Sequence, residues 1–175
     1  MKKMMILFLF CSIICFLTCS TKKVEAINLD FLTNDVLISS QIEEFNDGSY
    51  IIYEIYEEKI NMQINNLTSY SSNNSYTKIG KRNVTKYNAN NNILWIYTLS
   101  ATYSIVEGES VTCIDSEYST NIYESFWSFS KGSTSYNENI AYGKGTFTYK
   151  ILGLIPSQNV KIDIYLECDT YGNLS

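Results

Sequence analysis

Histidine is absent from all 175 residues. Without an imidazole, Ser-His-Asp and Cys-His hydrolases are excluded, and so are most zinc sites. A phosphate-binding loop is also missing, because Gly143-Lys144-Gly145 has neither the flanking pattern nor the following helix of such loops. No segment matches the acidic loop that binds calcium. We therefore predict a protein that is not an enzyme, with no catalytic residues, no metal and no cofactor.

Long apolar runs are absent as well, apart from one between Met4 and Leu17. That run has about 14 residues, whereas a helix needs roughly 20 to cross a bilayer core, so no membrane span is predicted. Lys2 and Lys3 precede the run and Val24-Glu25-Ala26 follows it, which is the layout of an export signal cleaved after Ala26. The sequence predicts a signal peptide over residues 1–26 and a secreted, extracellular protein.

A second way of processing the leader stays open. Phe16-Leu17-Thr18-Cys19 is similar to the lipobox of bacterial lipoproteins, in which a cysteine at the cut site receives lipid. Phe16 and Thr18 depart from the usual residues of that motif. The alternative to secretion is therefore a cell-surface lipoprotein with a lipid anchor at Cys19.

Positive charge is scarce in the exported part. The net charge of −5 becomes −8 when residues 1–26 are removed, since they contain four lysines and one glutamate. Nucleic acid binding needs a basic stripe that releases counterions. The densest basic cluster, Lys78, Lys81, Arg82 and Lys86, is interpreted instead as a solvated strand face. We predict no nucleic acid partner, and anionic membrane surfaces are disfavoured for the same reason.

What the sequence has in abundance is strand-forming residues. There are 15 Tyr, 8 Phe and 2 Trp against a single Pro, and Thr, Ile and Val are frequent. No stretch indicates a helix. Short strands at regular spacing predict an all-β fold, an antiparallel two-sheet sandwich like that of immunoglobulin domains, with a small β-barrel as the alternative.

Two segments alternate strictly between apolar and polar residues, which predicts strands with one face in the core. Ile93 to Val106 is the longer, and Val160 to Cys168 is the second; both are predicted at the centre of the fold. Trp95 lies mid-strand and is interpreted as a core residue. Weaker strands are predicted at Thr77–Tyr87, Ser110–Ile114, Tyr118–Tyr123, Phe126–Ser133 and Ile140–Leu152.

The amino-acid composition changes before Thr77. Residues 65–76 are almost wholly Asn, Ser, Thr and Tyr, a composition that predicts a linker. Upstream, Asn46-Asp47-Gly48 between two strand-like runs predicts a β-hairpin. We therefore divide the chain into a signal peptide (1–26), a hairpin extension (27–64), the linker (65–76) and a sandwich domain (77–175). The extension either docks on the domain, binds a partner, or remains a mobile or cleavable segment.

Cys113 and Cys168 are the two cysteines that remain after cleavage following Ala26. In an oxidising environment such a pair favours a disulfide, which would close a loop of about 56 residues and contribute roughly 4 kcal/mol in the chain-entropy view. Reactive thiols are the alternative. No neighbouring cation is present in sequence to lower a thiol pKa.

Several motifs resemble a family of small secreted proteins of low-GC Gram-positive bacteria. The resemblance covers roughly residues 45 to 175 and rests mainly on the tryptophan strand, the two cysteines and the Gly-Asn-Leu-Ser ending at residues 172–175. Further matching motifs are Thr77-Lys78, Gly80-Lys81, Phe126-Trp127 and Leu152-Gly153-Leu154. The resemblance implies an extracellular β-rich domain and assigns no activity to it.

Aromatic side chains supply the candidate ligand site, since flat rings on extracellular sandwiches stack against sugars. Trp127, Tyr123 and Tyr118 lie near one predicted turn and are the candidate binding residues. We expect a non-catalytic protein that binds an extracellular protein or glycan. A carbohydrate-binding module is the alternative, and burial of both tryptophans would argue against it. A glycosidase using two carboxylates is a further alternative, drawn from Glu107, Glu109, Asp115, Glu117 and Glu124.

Overall fold

In the described part of the chain, eight strands, each antiparallel to its neighbours, form two sheets in the computed structural model. The structure describes residues 35–59, 75–152 and 155–175. The predicted signal peptide (1–26), Cys19 and residues 65–74 of the predicted linker lie outside the described residues. Residues 75 and 76, assigned to the linker from the sequence, begin a strand.

Each sheet is a meander in which every strand pairs with its neighbour in sequence. The larger sheet contains, in order, β1 (Asp35–Glu44), β2 (Tyr50–Glu58), β3 (Ser75–Tyr87), β4 (Ile93–Val106) and β5 (Ser110–Ile122). The smaller contains β6 (Trp127–Asn137), β7 (Ile140–Ile151) and β8 (Ile155–Glu167). The predicted two-sheet antiparallel architecture is confirmed, and the sheets do not close into a barrel. The strand order departs from the predicted immunoglobulin-like one, because each sheet pairs only strands adjacent in sequence, whereas immunoglobulin domains also pair strands distant in sequence.

The core forms between β4 of the larger sheet and β7 and β8 of the smaller. The odd-numbered side chains of β4 from Trp95 to Ile105 are at most 2% exposed, as their alternation predicts. Ile162, Ile164 and Leu166 of β8 face them and are also buried. Trp95 is a core residue, as predicted.

The prediction that the last alternating segment lies at the centre of the fold is wrong. β8 is an edge strand, and β7 is the middle strand of its sheet. An added Cβ at Gly143 or Gly145 of β7 would lie 3.0 Å from the Tyr97 side chain. Glycine at these two inward positions lets the tyrosine ring approach the backbone, and it also interrupts the apolar alternation that would have marked β7 as central.

The hairpin formed by β1 and β2 continues the larger sheet. β2 pairs with β3 in unbroken register from Tyr50 opposite Tyr87 to Glu58 opposite Ile79. The turn is at Asn46-Asp47-Gly48, as predicted, with Gly48 at φ 77°, a conformation that side chains other than glycine rarely adopt. Of the three alternatives for the extension, the structure shows docking for residues 35–58.

The two sheets differ in width, and this difference shapes the surface. The three strands of the smaller sheet pack against β3, β4 and β5. β1 and β2 therefore extend beyond the layer that covers the other strands. The overhang leaves a groove beneath the β1–β2 turn and an open edge along β1.

Cys113 and Cys168 are free thiols, so the predicted disulfide is absent from this structure. Their backbone N–H groups donate to consecutive carbonyls of the β6–β7 turn, those of Glu138 and Asn139. Each Sγ approaches a carbonyl of its own chain segment, at 3.3 Å from Asp115 O and 3.6 Å from the oxygen of the residue after Cys168. Each thiol is therefore hydrogen-bonded to a backbone carbonyl, and the two sulfur atoms are not bonded to each other.

Burial should make both thiols unreactive in the folded protein. Cys113 and Cys168 are at most 1% exposed, and burial raises the pKa of both, that of Cys168 to about 11. Because the thiolate is the reactive form, we expect neither cysteine to be alkylated in the native chain and both to be alkylated in denaturant without reductant. Peptide mass spectrometry reports each site. Failure to label them in denaturant until reductant is added would contradict the free-thiol state.

Candidate functional site

A groove of about 460 Å³ lies at the seam between the β1–β2 turn and the smaller sheet; we call it the seam groove. One wall is apolar and mainly aromatic, and consists of Leu94, Phe126, Trp127 and Tyr149. The other is polar and consists of Asp47, Ser49, Lys86, Asn88, Glu124 and Gln158. An adjoining concavity of about 370 Å³ shares Asp47, Ser49, Lys86 and Gln158 and extends to Tyr53 and Lys161. The concave surface is therefore elongated.

The aromatic wall is fixed by the core behind it. The Phe126 ring lies 6.2 Å from that of Tyr149, which lies 5.4 Å from that of Trp127. Trp127 meets Trp95 edge to face at 6.1 Å, and Trp95 stacks on Phe147 at 3.9 Å. Rings in such contact hold one another in place. Only Phe126 at the outer end of this series is well exposed, at 42%.

A buried ammonium group lies at the centre of the polar wall. Lys86 is 6% exposed, and its Nζ donates to Ser49 Oγ at 2.8 Å. The same Nζ lies 3.7 Å from the centroid of the Phe45 ring, a cation–π contact. Burial lowers the pKa of Lys86, whereas the charges of Asp47 and Glu43 act in the opposite direction. The interpretation of Lys86 as part of a solvated strand face is therefore wrong, because register places it opposite Trp95 on the inner face.

Asp47 holds the turn from the other side. Its Oδ1 accepts from the backbone N–H of Ser49 at 2.9 Å and from the Ser49 hydroxyl at 2.6 Å. These hydrogen bonds lower the pKa of Asp47. The carboxylate therefore stays ionised at neutral pH and is unsuited to act as a general acid.

Ser49 and Lys86 have the pairing of a serine nucleophile and a lysine base, but their other bonds argue against that chemistry. The Ser49 hydroxyl proton is directed to Asp47 rather than to the amine. The Ser49 backbone N–H, a potential donor to an oxyanion, is also bound to Asp47. The network fixes the turn and presents fixed polar groups to the groove.

The structure does not bring the three predicted binding residues together in one site. Trp127 is 7% exposed and lines the seam groove. Tyr123 is 51% exposed and follows β5, and Tyr118 stacks on Tyr97 at 5.8 Å. Trp95 and Trp127 are both buried, which counts against a carbohydrate site built on exposed tryptophan.

The candidate glycosidase carboxylates are distributed along β5. Glu107 and Glu109 belong to the β4–β5 turn, and Glu124 follows the other end of the strand. Thirteen residues of strand span about 40 Å. Of the five acids, only Glu124 lines the seam groove.

Lys86 and Asp47 are site residues that the sequence pattern does not mark. In the sequence, Asp47 belongs to a predicted turn and Lys86 to a basic cluster. Their convergence depends on the register of β2 on β3, which places Ile51 opposite Lys86. The alternation of side chains along β3 could have indicated this convergence, since Lys86 and the buried Val84 share the inward face.

Comparison of the chain with protein family models, curated proteins and solved structures finds no match in any of the three. The family resemblance drawn from short motifs therefore stays a prediction. Within the described ranges, no group of three or more acidic or cysteine side chains is arranged to hold a metal ion. The same part of the chain contains no helix with the length and apolar character needed to cross a membrane.

Proposed function

We propose that this protein is a non-catalytic extracellular binding domain and that the seam groove holds its ligand. The supporting observation is the convergence of an aromatic wall and fixed polar groups on one elongated concave surface. Ligand sites combine apolar linings with a few placed polar groups in this way. Export is part of the proposal and is supported by the layout of residues 1–26.

The two walls define the chemistry of the ligand. Phe126 and Tyr149 offer apolar contact, and the exposed face of Phe126 gives that contact room. Asp47 and Glu124 accept hydrogen bonds or pair with cations, and Gln158 both donates and accepts. A segment of an extracellular protein with apolar and polar side chains in alternation fits these walls.

The hydrogen bonding of Ser49 and Asp47 in the seam groove supports binding rather than catalysis there. The Ser49 hydroxyl proton is directed to Asp47, and the lowered pKa of Asp47 keeps its carboxylate ionised. A glycosidase needs one carboxylic acid that retains its proton. The aromatic wall and the polar wall can therefore orient a ligand without an evident step that would cleave it.

Replacing Phe126 by alanine should weaken binding without unfolding the domain. We expect an affinity loss of about tenfold, since removing an aromatic anchor that contacts a ligand costs more than 1 kcal/mol. Wild type and variant are compared on a peptide array and a glycan array. Tyr136→Ala is the matched control, because Tyr136 is similarly exposed, at 49%, and does not line the groove.

Three outcomes of the array experiment would contradict the proposal. One is that a folded wild type binds nothing on either array. Another is that Phe126→Ala retains every signal. The third is that bound probes are cleaved on incubation, as mass spectrometry of the recovered probe would show.

A further inference from the structure

The edge of the larger sheet at β1 is open. Nine of the ten residues from Asp35 to Glu44 are exposed. Proteins normally shield such an edge with a covering element or with Lys or Pro, because unpaired N–H and C=O groups recruit other strands. β1 contains neither Lys nor Pro, and within the described ranges only β2 packs against it.

The other sheet edges of the described chain are shielded. β5 lies against β6, where the Thr134 hydroxyl donates to Ser116 O at 3.0 Å. β8 carries Pro156 and Lys161, and Arg82 Nη1 donates to Tyr165 O at 2.7 Å. The contrast indicates that the open edge at β1 is a specific feature.

The usable part of this edge is short and acidic. Pairing of β1 with β2 is regular from Ser39 to Glu44, after a register shift between Leu37 and Ser39. Ile42 is 45% exposed within this stretch. Glu43 and Glu44 end it, and no salt bridge reaches either carboxylate from the described residues. Among the described residues, Glu43 accepts one hydrogen bond, from the Tyr53 hydroxyl at 2.9 Å.

A second copy of the chain matches this edge poorly over the full length of β1. Full antiparallel pairing of two β1 strands would set Asp35 beside Glu44, and Val36 beside Glu43. Like charges in direct opposition destabilise a strand pair. A shorter pairing centred on Leu37 would have to cross the register shift in both strands.

We propose that β1 accepts an extended, cationic segment of another protein by strand addition. The segment forms backbone hydrogen bonds along Ser39–Glu44, places an apolar side chain beside Ile42, and sets Lys or Arg beside Glu43 and Glu44. Main-chain bonds give affinity in this mode and side chains give specificity. The inference rests on the edge and does not depend on a ligand in the seam groove. Glu43 also lines the adjoining concavity, whereas Ile42 lines neither concavity.

The probe is a synthetic peptide of sequence Lys-Lys-Val-Thr-Val-Thr, compared with a copy methylated on alternate backbone nitrogens. Methylation keeps the charge and removes the N–H donors of a strand ladder. We expect the unmodified peptide to bind the full chain in fluorescence polarisation, and the methylated copy to bind about tenfold more weakly or not at all. Equal binding of both peptides, or no binding of the first, would overturn the proposal.

Two variants locate the peptide on β1. Glu43→Lys combined with Glu44→Lys should weaken binding at least tenfold, and Ile42→Lys provides a variant that leaves both carboxylates in place. The matched control is Glu107→Lys combined with Glu109→Lys, which changes the net charge equally at the β4–β5 turn and should change affinity less than twofold. Circular dichroism confirms that each variant is folded.

Equal losses in the edge variants and the turn control would show attraction by net charge alone and overturn the strand addition. Sedimentation equilibrium tests the other occupant. A wild-type dimer that Ile42→Lys dissociates would assign the edge to a second copy, and it would overturn the proposed heterologous partner.

Discussion

Replacing Trp95 by alanine should lower the free energy of unfolding by about 3–5 kcal/mol, the range for removing a large aromatic side chain from a core. Trp95 is fully buried, stacks on Phe147 at 3.9 Å with an interplanar angle of 7°, and contacts Trp127. A domain is typically stable by 5–15 kcal/mol. This single substitution therefore removes a large share of the total, which urea unfolding followed by circular dichroism measures.

Trp95→Phe separates the effect of losing the ring from the effect of losing its N–H donor. Trp95 Nε1 has no hydrogen-bond partner among the described residues, and an unpartnered buried donor destabilises a fold by about 1–3 kcal/mol. Phenylalanine keeps a ring against Phe147 and removes that donor, so we expect it to lose much less stability than alanine. Tyr136→Ala, at an exposed site, should stay within about 0.5 kcal/mol of wild type.

The Trp95 substitution also tests how the seam groove is held. Trp95 does not line the groove but supports Trp127, which does. Trp95→Ala should therefore weaken ligand binding even where enough folded protein remains to measure it. A variant within 1 kcal/mol of wild type would contradict the role of this ring stack as the centre of the core.

Local alternation was sufficient to predict the best-patterned strands. β4 has the predicted bounds, Ile93 to Val106, because every second side chain along it contacts the core. β5 is one strand although two were predicted. The reason is that Asp115, Ser116 and Glu117 interrupt the apolar pattern, while their backbone groups still pair with β4.

The groove could not be predicted because it is not a property of any one segment. It exists because a sheet of five strands packs on a sheet of three. The number of strands in each sheet depends on how the whole chain packs and not on one segment. Lys86 illustrates the point. Its neighbours in sequence are polar, but pairing between β3 and β4 sets it beside Trp95 and turns its ammonium group inward.

The same limit applies to the candidate aromatic site. Trp127, Tyr123 and Tyr118 are close in sequence, and closeness in sequence was the basis for grouping them. Along a strand and the turn after it, each further position moves a residue several ångströms away from the first. Only Trp127 reaches the groove, where its partner Tyr149 comes from the next strand.

Above pH 10 the protein should lose stability steeply, because two tyrosines at its centre ionise at lower pH in the unfolded chain than in the folded chain. Tyr97 and Tyr103 are fully buried. Burial raises the pKa of Tyr97 to about 12 and that of Tyr103 still further above the ordinary value of 10. Their hydroxyls donate to Lys144 O at 3.2 Å and Leu166 O at 2.6 Å, bonds that a phenolate cannot make.

The direction of this change in stability with pH follows from proton linkage. In the unfolded chain both tyrosines release their protons near pH 10, whereas in the folded chain they keep them to a higher pH. The stabilisation is complete below pH 10 and declines as pH rises toward 12 and beyond. Each tyrosine contributes a slope of about 1.4 kcal/mol per pH unit, so the pair contributes about 3 kcal/mol per pH unit.

Urea unfolding at a series of pH values, with tyrosinate absorbance as a second signal, measures this slope. Tyr103→Phe should lose about 1 kcal/mol at neutral pH with its hydrogen bond and reduce the alkaline slope by about 1.4 kcal/mol per pH unit. Tyr171→Phe, at a site 66% exposed, should leave the slope unchanged. An unaltered slope in Tyr103→Phe would contradict the assignment.

Lys86 changes the pH dependence of stability in the opposite direction to the core tyrosines. Because burial lowers its pKa, the folded chain releases this proton before the unfolded chain does, and stability rises slightly with pH until both forms are neutral. Lys86→Met should remove that rise and leave the loss above pH 10 intact. The core tyrosines therefore share the alkaline loss with other groups whose pKa burial raises, among them Tyr53, Tyr56, Tyr87 and the two buried thiols. The lysine beneath the hairpin turn acts in the opposite direction.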